Sequence, residues 1–159
     1  MENDVVVSGL LKTRGARPPN LESENDFLHS LAQLLLTDAE HIIARSIRAA
    51  VRLCGAGSAG VSQLENDHGN EVFRWVALGG AFEGQEGRST PRFFSPCGLA
   101  FDRQAPQLFS YPARCYTCLQ DAVPEIVEAL VLPLPDGTGT IWIVAHDVAP
   151  ARQQEGTPS

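Results

Sequence analysis

The pattern of apolar and polar residues predicts two helices early in the chain. Ser23 and Thr37 each stand three residues before an acidic side chain, a spacing typical of helix N-terminal capping. Apolar residues then recur at helical spacing after each cap. The first stripe comprises Phe27, Leu28, Leu31, Leu34 and Leu35, and the second comprises Ile42, Ile43, Ile47, Ala50, Val51 and Cys54. Gly55 follows the second stripe and predicts the end of that helix.

Two hairpins are predicted after this helical region. Residues 58–65 and 71–78 flank a turn-rich spacer, and residues 127–134 and 140–147 flank the sequence Pro-Asp-Gly-Thr-Gly. Apolar side chains stand on both sides of the run 71–78, which predicts that both of its faces are covered. Tight turns between neighbouring strands predict an antiparallel sheet, and helices must then cover at least one of its faces. The expected fold class is α+β, an α/β sandwich.

Residues 79–124, between the hairpins, are predicted to form few regular elements. The loop 79–92 is rich in glycine, and prolines interrupt the residues that follow. A short helix at 98–103 and a short strand at 107–109 are expected there. Long irregular stretches in compact domains are usually functional, so we expect this one to form the wall of a pocket.

Size and charge narrow the class of protein. The chain of 159 residues fits one domain. We expect a flexible arm at 1–22, a domain at 23–148 and a disordered tail at 149–159. The net charge is -7 and the 12 basic residues are scattered, so neither nucleic acid nor an anionic membrane is an expected partner. Lacking a bilayer-length apolar run and a secretory signal, the protein is expected in the cytoplasm with reduced cysteines.

A series of short segments carries a family resemblance. The segments are 53–62, 73–75, 90–92, 94–98, 106–109, 112, 128–134 and 139–147. In their order and spacing they resemble the GAF domains of bacterial sensor histidine kinases. The resemblance implies a central antiparallel sheet with N-terminal helices on one face and a loop-walled ligand pocket on the other. It also implies a homodimer formed through terminal helices and a signalling output such as a histidine kinase.

The chain departs from that family pattern in two ways. After Asp147 it turns polar and ends, and no phosphoacceptor, ATP-binding or cyclase signature is present. It also lacks the Cys-His pair that anchors a bilin in the photoreceptor branch, because Gly98 follows Cys97 and Leu119 follows Cys118. The resemblance therefore leaves the identity of any cofactor unknown.

Aromatic and polar residues of the expected pocket wall are the candidates for ligand contact. Trp75 lies in the middle of a predicted strand, where its indole can stack on a planar ligand, whereas Trp142 is expected in the core. Arg92 is a possible anchor for an anionic ligand. The candidate ligand-binding residues are Trp75, Arg92, Phe94, Cys97, Tyr111 and Tyr116. No catalytic or metal-binding residue is expected.

Two other functions remain open. Free methionine-(R)-sulfoxide reductases are small GAF proteins that use pocket cysteines, and Cys97 with Cys115 or Cys118 occupies similar positions. A thiolate there would attack the sulfoxide, and a second thiol would form a disulfide. Alternatively, the pocket is vestigial and the domain is a dimerising scaffold, with the leucine stripe of the first helix as a dimer seam.

Two motifs have more ordinary explanations. Residues 55–60 match the glycine fingerprint of dinucleotide-binding proteins, but here a helix precedes and a strand follows, the reverse of what that motif requires. A helix end followed by close backbone packing is the better interpretation. Cys115 and Cys118 have the spacing of a zinc knuckle, but no second pair of ligands accompanies them.

Overall fold

The structure, a computed structural model, describes residues 2–13, 22, 42–135 and 137–146. The helices are α1 Glu2–Val5, α2 Leu10–Thr13, α3 Ile42–Cys54 and α4 Pro96–Arg103, with 3₁₀ turns at Pro112–Arg114 and Thr117–Leu119. The strands are β1 Ser58–Asp67, β2 Asn70–Gly80, β3 Ser89–Pro91, β4 Gln107–Ser110, β5 Glu128–Pro133 and β6 Gly139–Ala145. Both predicted hairpins, the short helix and the short strand are confirmed. The first predicted helix, the start of the second and the tail lie outside the described residues.

The strands form one six-stranded sheet in the order β3-β2-β1-β6-β5-β4. Every neighbouring pair is antiparallel, which confirms the predicted sheet. The first hairpin closes with a two-residue turn, in which His68 has a φ of 53° and Gly69 a φ of 94°. Two successive residues with positive φ are typical of the turn whose twist matches that of the flanking strands.

A β-bulge in β2 determines which of its side chains point to each face of the sheet. Val61 pairs with Ala77 and Ser62 pairs with Trp75, so Val76 has no partner residue across the strands. The extra residue reverses the alternation, and Trp75 therefore faces the same side of the sheet as Leu78. Val76 is 38% exposed, which corrects the prediction that both faces of this strand are covered throughout.

Helix α3 covers one face of the sheet at β1 and β2. Ile47 is buried against Ala59 and Ala77, and Val51 packs beside them. Gly55 has a φ of 63° and ends the helix as predicted, because a residue without a Cβ adopts this conformation easily. None of the helices in the described ranges is long and apolar enough to cross a membrane.

The opposite face carries the larger core and is covered by α4 and the two 3₁₀ turns. Helix α4 begins at Pro96, two residues before the predicted start. Ser95 caps it, since its Oγ accepts a hydrogen bond from the Gly98 N–H at 3.0 Å. Proline at the first helical position suits this start because its missing N–H is not needed there.

The N-terminal residues pack on this same side, which corrects the prediction of a flexible arm for residues 2–13. Val5 is fully buried in the larger core, and Val6 forms an antiparallel bridge with Phe109. Ser8 donates a hydrogen bond to Gln107 Oε1 at 2.8 Å. The segment is attached because three consecutive valines meet the exposed edge of β4, a contact that local sequence patterns do not reveal.

Candidate functional site

An apolar cavity lies beneath the larger-core face of the sheet, at the position predicted for the pocket. Its volume is about 30 Å³. Its lining residues are Trp75, Phe82, Thr90, Pro96, Cys97, Leu119, Ile126, Ala129, Val131, Trp142 and Val144. A partly open hollow therefore lies where the pocket was expected, but side chains fill most of the space, and the volume that remains is smaller than a drug-sized ligand requires.

Three aromatic rings fill the centre of the site. The ring centroid of Trp75 lies 5.0 Å from that of Trp142 and 5.5 Å from that of Phe82. All three side chains are buried, so Trp142 is as much a cavity residue as Trp75. Such tilted aromatic contacts stabilise a core by about 0.5–1.5 kcal/mol per pair beyond their buried area.

The glycines of the first hairpin permit this dense packing. A Cβ on Gly60 would lie 2.4 Å from Cζ2 of Trp142, and one on Gly57 would lie 2.6 Å from Cδ2 of His146. The glycine-rich run 55–60 thus ends a helix and then lets side chains approach the backbone closely. This confirms the ordinary interpretation of the fingerprint match.

A small polar group borders the cavity. Trp142 Nε1 donates a hydrogen bond to Ser62 Oγ at 2.9 Å, and Thr140 Oγ1 donates to Cys97 Sγ at 3.1 Å. Thr90 Oγ1 is buried and makes no hydrogen bond of good geometry within the described part of the chain. The cavity therefore has one buried hydroxyl oxygen without a partner, in a lining that is otherwise almost wholly apolar.

Arg88 closes one side of the cavity. Its guanidinium carbon lies 5.2 Å from the Trp75 ring centroid. Nη2 donates to the carbonyl oxygen of Cys118 at 3.3 Å and also pairs with the Asp121 carboxylate. Trp75 and Leu119, the residue after Cys118, both line the cavity. The Arg88 side chain therefore connects β2 to the segment that covers the cavity.

His146 closes a second side. Its Nδ1 lies 2.9 Å from the carbonyl oxygen of Glu125, which only accepts, so Nδ1 carries the proton. In the neutral ring Nε2 then accepts from Ser58 Oγ, 2.7 Å away, and Ser58 Oγ accepts from the Phe82 N–H at 3.1 Å. Ser58 is fully buried, and this serine–histidine pair joins the start of β1 to the residue after β6.

Of the predicted ligand-binding residues, the structure brings only Trp75 and Cys97 to the cavity. Arg92 is engaged elsewhere: its Nη2 donates to Asp102 at 2.7 Å, and its guanidinium carbon lies 4.6 Å from the Phe101 ring centroid. Arg92 therefore joins β3 to α4. Its distance from the cavity corrects its expected place in the pocket wall, although its Nη1 is buried without a partner among the described residues.

The other three predicted residues lie apart from the cavity. Phe94 is 54% exposed, and its ring stacks 5.2 Å from that of Tyr116. Tyr116 is fully buried and donates a hydrogen bond to Glu2 Oε2 at 2.7 Å. Burial, then the Glu2 carboxylate, raise the pKa of this phenol. Tyr111 precedes a 3₁₀ turn with its ring near Arg114. None of these three residues lines the cavity, and Tyr116 is directed towards the N-terminal helix by its hydrogen bond to Glu2.

Residues that the sequence did not single out complete the site. Phe82 comes from the glycine-rich loop, Leu119 ends the second 3₁₀ turn, and Ile126 lies shortly before β5. Arg88 lies in the same loop as Phe82. A buried aromatic residue within an otherwise polar loop was the available signal for Phe82. Nothing in the local sequence distinguished Arg88 from the other scattered arginines.

The four cysteines are free thiols, of which Cys97 and Cys115 are buried and Cys54 is exposed. Burial raises the pKa of Cys97, and burial raises that of Cys118 to about 11. The thiolate is the nucleophile in thiol chemistry, so both groups are poorly suited to attack a substrate at neutral pH. Within the described ranges, no three His, Cys, Asp or Glu side chains lie together in a way that would hold a metal ion.

Comparisons with known proteins bear on the fold. No family model and no curated protein matches the sequence. The GAF domain of an Acinetobacter phosphoenolpyruvate-protein phosphotransferase is 13% identical, with a TM-score of 0.61 over 86% of each chain. Free methionine-R-sulfoxide reductase from Neisseria meningitidis, solved with its substrate, is 13% identical, with a TM-score of 0.59 over 86% of this chain and 81% of that one. The Nlh2 GAF domain of A. aeolicus, in an inactive state, is 14% identical, with a TM-score of 0.56 over 84% and 86%.

The chain has the GAF fold. The antiparallel sheet, the helix on one face and the loop-covered cavity on the other agree with that architecture. At 13–14% identity these likenesses establish the shared fold and leave activity and ligand to be tested. The comparisons therefore show the fold alone, and the side chains of this chain must indicate its function.

Proposed function

We propose that this chain is a regulatory GAF module that binds a small, mainly apolar ligand against Trp75 and Trp142. Binding would require the segment 117–126, named here the wall segment, to move away from the sheet. The module would act in the cytoplasm as a homodimer and pass its state to a signalling partner such as a histidine kinase. The observation that supports the proposal is an apolar, aromatic cavity on the sheet face, covered by an irregular segment.

The size of the cavity explains why the wall must move. A single water molecule needs about 10–15 Å³ of cavity volume, so the cavity of about 30 Å³ holds no more than about two water molecules. Pockets for ligands of drug size enclose about 300–1,000 Å³. Leu119 and Ile126, both on the wall segment, line the cavity. Their outward movement would enlarge it without disturbing the strands.

Polar ties hold the margins of the wall segment. Arg88 donates to the Cys118 carbonyl oxygen and pairs with Asp121. Gln85 Nε2 lies 3.4 Å from the carbonyl oxygen of Val123. Hydrogen bonds and ion pairs at an exposed margin contribute about 1 kcal/mol each or less.

The interior of the wall segment is held by two further kinds of contact. His146 Nδ1 donates to the carbonyl oxygen of Glu125, and three side chains are buried in the larger core: Leu119, Ala122 and Ile126. Opening the wall therefore costs apolar burial as well as hydrogen bonds. A ligand that buries its own apolar surface against the two indoles offsets part of that cost.

A similar fold also accommodates a small ligand in another protein. The Neisseria meningitidis reductase was solved in complex with its substrate. For the present chain a thiol reductase is the weaker hypothesis, because the raised pKa values of Cys97 and Cys118 leave little thiolate at neutral pH.

A scaffold without a small-molecule ligand is the second candidate function. The filling of the sheet face by Trp75, Phe82 and Trp142 favours it. In that case the module would act through its surfaces alone, and the tight core would serve stability. The two functions differ in a measurable way, since only a sensor gains stability from a compound that enters the cavity.

The experiment is a thermal-shift screen of small apolar and aromatic compounds against the wild type and two variants. Ala129→Leu adds bulk to a cavity-lining position, and the matched control Ala81→Leu changes an exposed one. A compound that binds in the cavity should raise Tm in the wild type and in Ala81→Leu but not in Ala129→Leu. If no compound stabilises the wild type, or if Ala129→Leu responds equally, the scaffold function replaces the sensor.

A further inference from the structure

We propose that Arg88 recognises an anionic group on the ligand, and that the ligand is an apolar or aromatic carboxylate whose carboxylate replaces that of Asp121. This inference rests on the proposed function, because it concerns the ligand of the same cavity. It adds the chemical class of the ligand and the way in which its binding is coupled to opening of the wall segment.

The position of Arg88 suits this role. The guanidinium lies against the Trp75 ring, and its side chain is 21% exposed. Stacking on an aromatic face restrains a guanidinium while leaving its N–H groups directed outward in its own plane. A ligand whose body packed against Trp75 would therefore place a carboxylate within reach of Arg88.

Asp121 occupies the position on Arg88 that a ligand carboxylate would take. It pairs with Arg88 Nη2, yet its own side chain is 81% exposed. An ion pair with a carboxylate so open to water is weak, because that carboxylate is well hydrated once it leaves the guanidinium, so a ligand anion can take its place. Asp121 engages Nη2 alone, whereas a ligand carboxylate can pair with a guanidinium through two parallel hydrogen bonds.

The other charged groups near the site do not offer the same opportunity. The cavity lining contains no charged side chain among the described residues. Arg92 contacts Phe73, Phe93 and Phe101, none of which lines the cavity. Arg88 is thus the arginine that, within the described ranges, contacts a cavity-lining ring and an exposed carboxylate at the same time.

The contacts of Arg88 also link recognition of the ligand carboxylate to opening of the wall segment. Arg88 holds the wall segment through Asp121 and through the carbonyl oxygen of Cys118. A ligand carboxylate that displaced Asp121 would release one of these ties as it bound. The ligand would therefore loosen the wall that covers its own site, and a neutral compound of equal size would not.

The test compares acids with their neutral amides. The probes are phenylacetate with phenylacetamide and indole-3-acetate with indole-3-acetamide, titrated by calorimetry or thermal shift. We expect at least one acid to bind about tenfold more tightly than its amide. Asp121→Asn, which removes the competing carboxylate, should strengthen binding of the acid several-fold and that of the amide less, because the amide gains only from the weaker tie on the wall segment. Arg88→Gln should abolish the preference for the acid.

A matched control uses the other loop ion pair. Glu83 pairs with Arg48 at 3.6 Å, with both side chains more than half exposed, and Glu83→Gln should leave every affinity unchanged. Equal binding of acid and amide, or a preference that survives in Arg88→Gln, would refute the role of Arg88. If the amides bind and Ala129→Leu blocks them, the proposed function stands without this inference. If no probe binds even to Asp121→Asn, the carboxylate inference is wrong, and the broader screen alone decides the function.

Discussion

The close contact between Gly60 and the Trp142 indole can be perturbed by a substitution at either residue. A Cβ at position 60 would lie 2.4 Å and 2.7 Å from Cζ2 and Cη2 of Trp142, and 2.8 Å from Cδ2 of Leu78. Carbon atoms normally approach to about 3.5–4.0 Å. Gly60→Ala therefore forces the indole to move by roughly 1 Å, although alanine in a strand would otherwise be tolerated as well as glycine.

The magnitudes follow from the two single changes and their combination. Overpacking of this kind lowers the free energy of unfolding by about 1–3 kcal/mol. Trp142→Phe removes the indole atoms that meet position 60 and the N–H that bonds Ser62 Oγ, at a cost of about 3 kcal/mol. Phenylalanine has no atoms at Cζ2 or Cη2 of the indole, so in the double variant the methyl group at position 60 no longer clashes with residue 142, and only its close contact with Leu78 remains. We expect the double variant to be more stable than the sum of the single costs implies by about 1–2 kcal/mol.

The assay is urea unfolding followed by circular dichroism in the far ultraviolet, for the wild type, both single variants and the double variant. The control is Gly9→Ala, because nothing lies within 4 Å of a Cβ at that position. The control should leave the unfolding midpoint nearly unchanged. Single costs that add to within about 0.5 kcal/mol would show that Gly60 and Trp142 are not in close contact and would refute the packing described for the site.

Three further predictions concern parts of the chain outside this contact. Val5→Ala should lower the free energy of unfolding by about 2 kcal/mol, because Val5 is fully buried. Leu10→Ala, at a position that is 45% exposed, should lower it by well under 1 kcal/mol. Equal costs in urea unfolding would mean that the N-terminal segment does not pack on the sheet. Ser58→Ala should cost about 2 kcal/mol and speed hydrogen exchange of the loop N–H that it accepts, and unchanged exchange would contradict the bond. With a pKa of about 11, Cys118 should be only about 0.1% thiolate at pH 8. Its reaction with a disulfide reagent should therefore be far slower than that of exposed Cys54 and should accelerate towards pH 11. A rate equal to that of free cysteine would refute the raised pKa.

Much of the fold could be predicted because its signals are local. The glycine after α3, the turn residues of both hairpins and the alternation along β1, β2, β5 and β6 each act within a few residues. The predicted strands and the short helix before β4 therefore agree with the structure to within about two residues. The bulge at Val76 could not be predicted, because it depends on the register that β2 adopts against β1.

The candidate site could be predicted only in part. Trp75 and Cys97 line the cavity as expected, while Arg92, Phe94, Tyr111 and Tyr116 lie elsewhere. The sequence located the wall of the pocket in the right region of the chain. It did not indicate which way each side chain points, because irregular segments lack the periodicity that assigns faces to strands and helices.

Local patterns along the chain predict an antiparallel sheet with helices on at least one face, and the resemblance to GAF domains adds that helices cover one face and loops the other. Hydrophobic periodicity, caps and turns suffice for the first part because they depend on neighbouring residues. The three-dimensional packing adds that residues 2–13 pack on β4, that Trp142 joins Trp75 in the site, and that the cavity shrinks to about 30 Å³. Cavity volume is a small difference between the space that the backbone encloses and the side chains that fill it. It therefore depends on contacts among residues far apart in sequence, which no local pattern specifies.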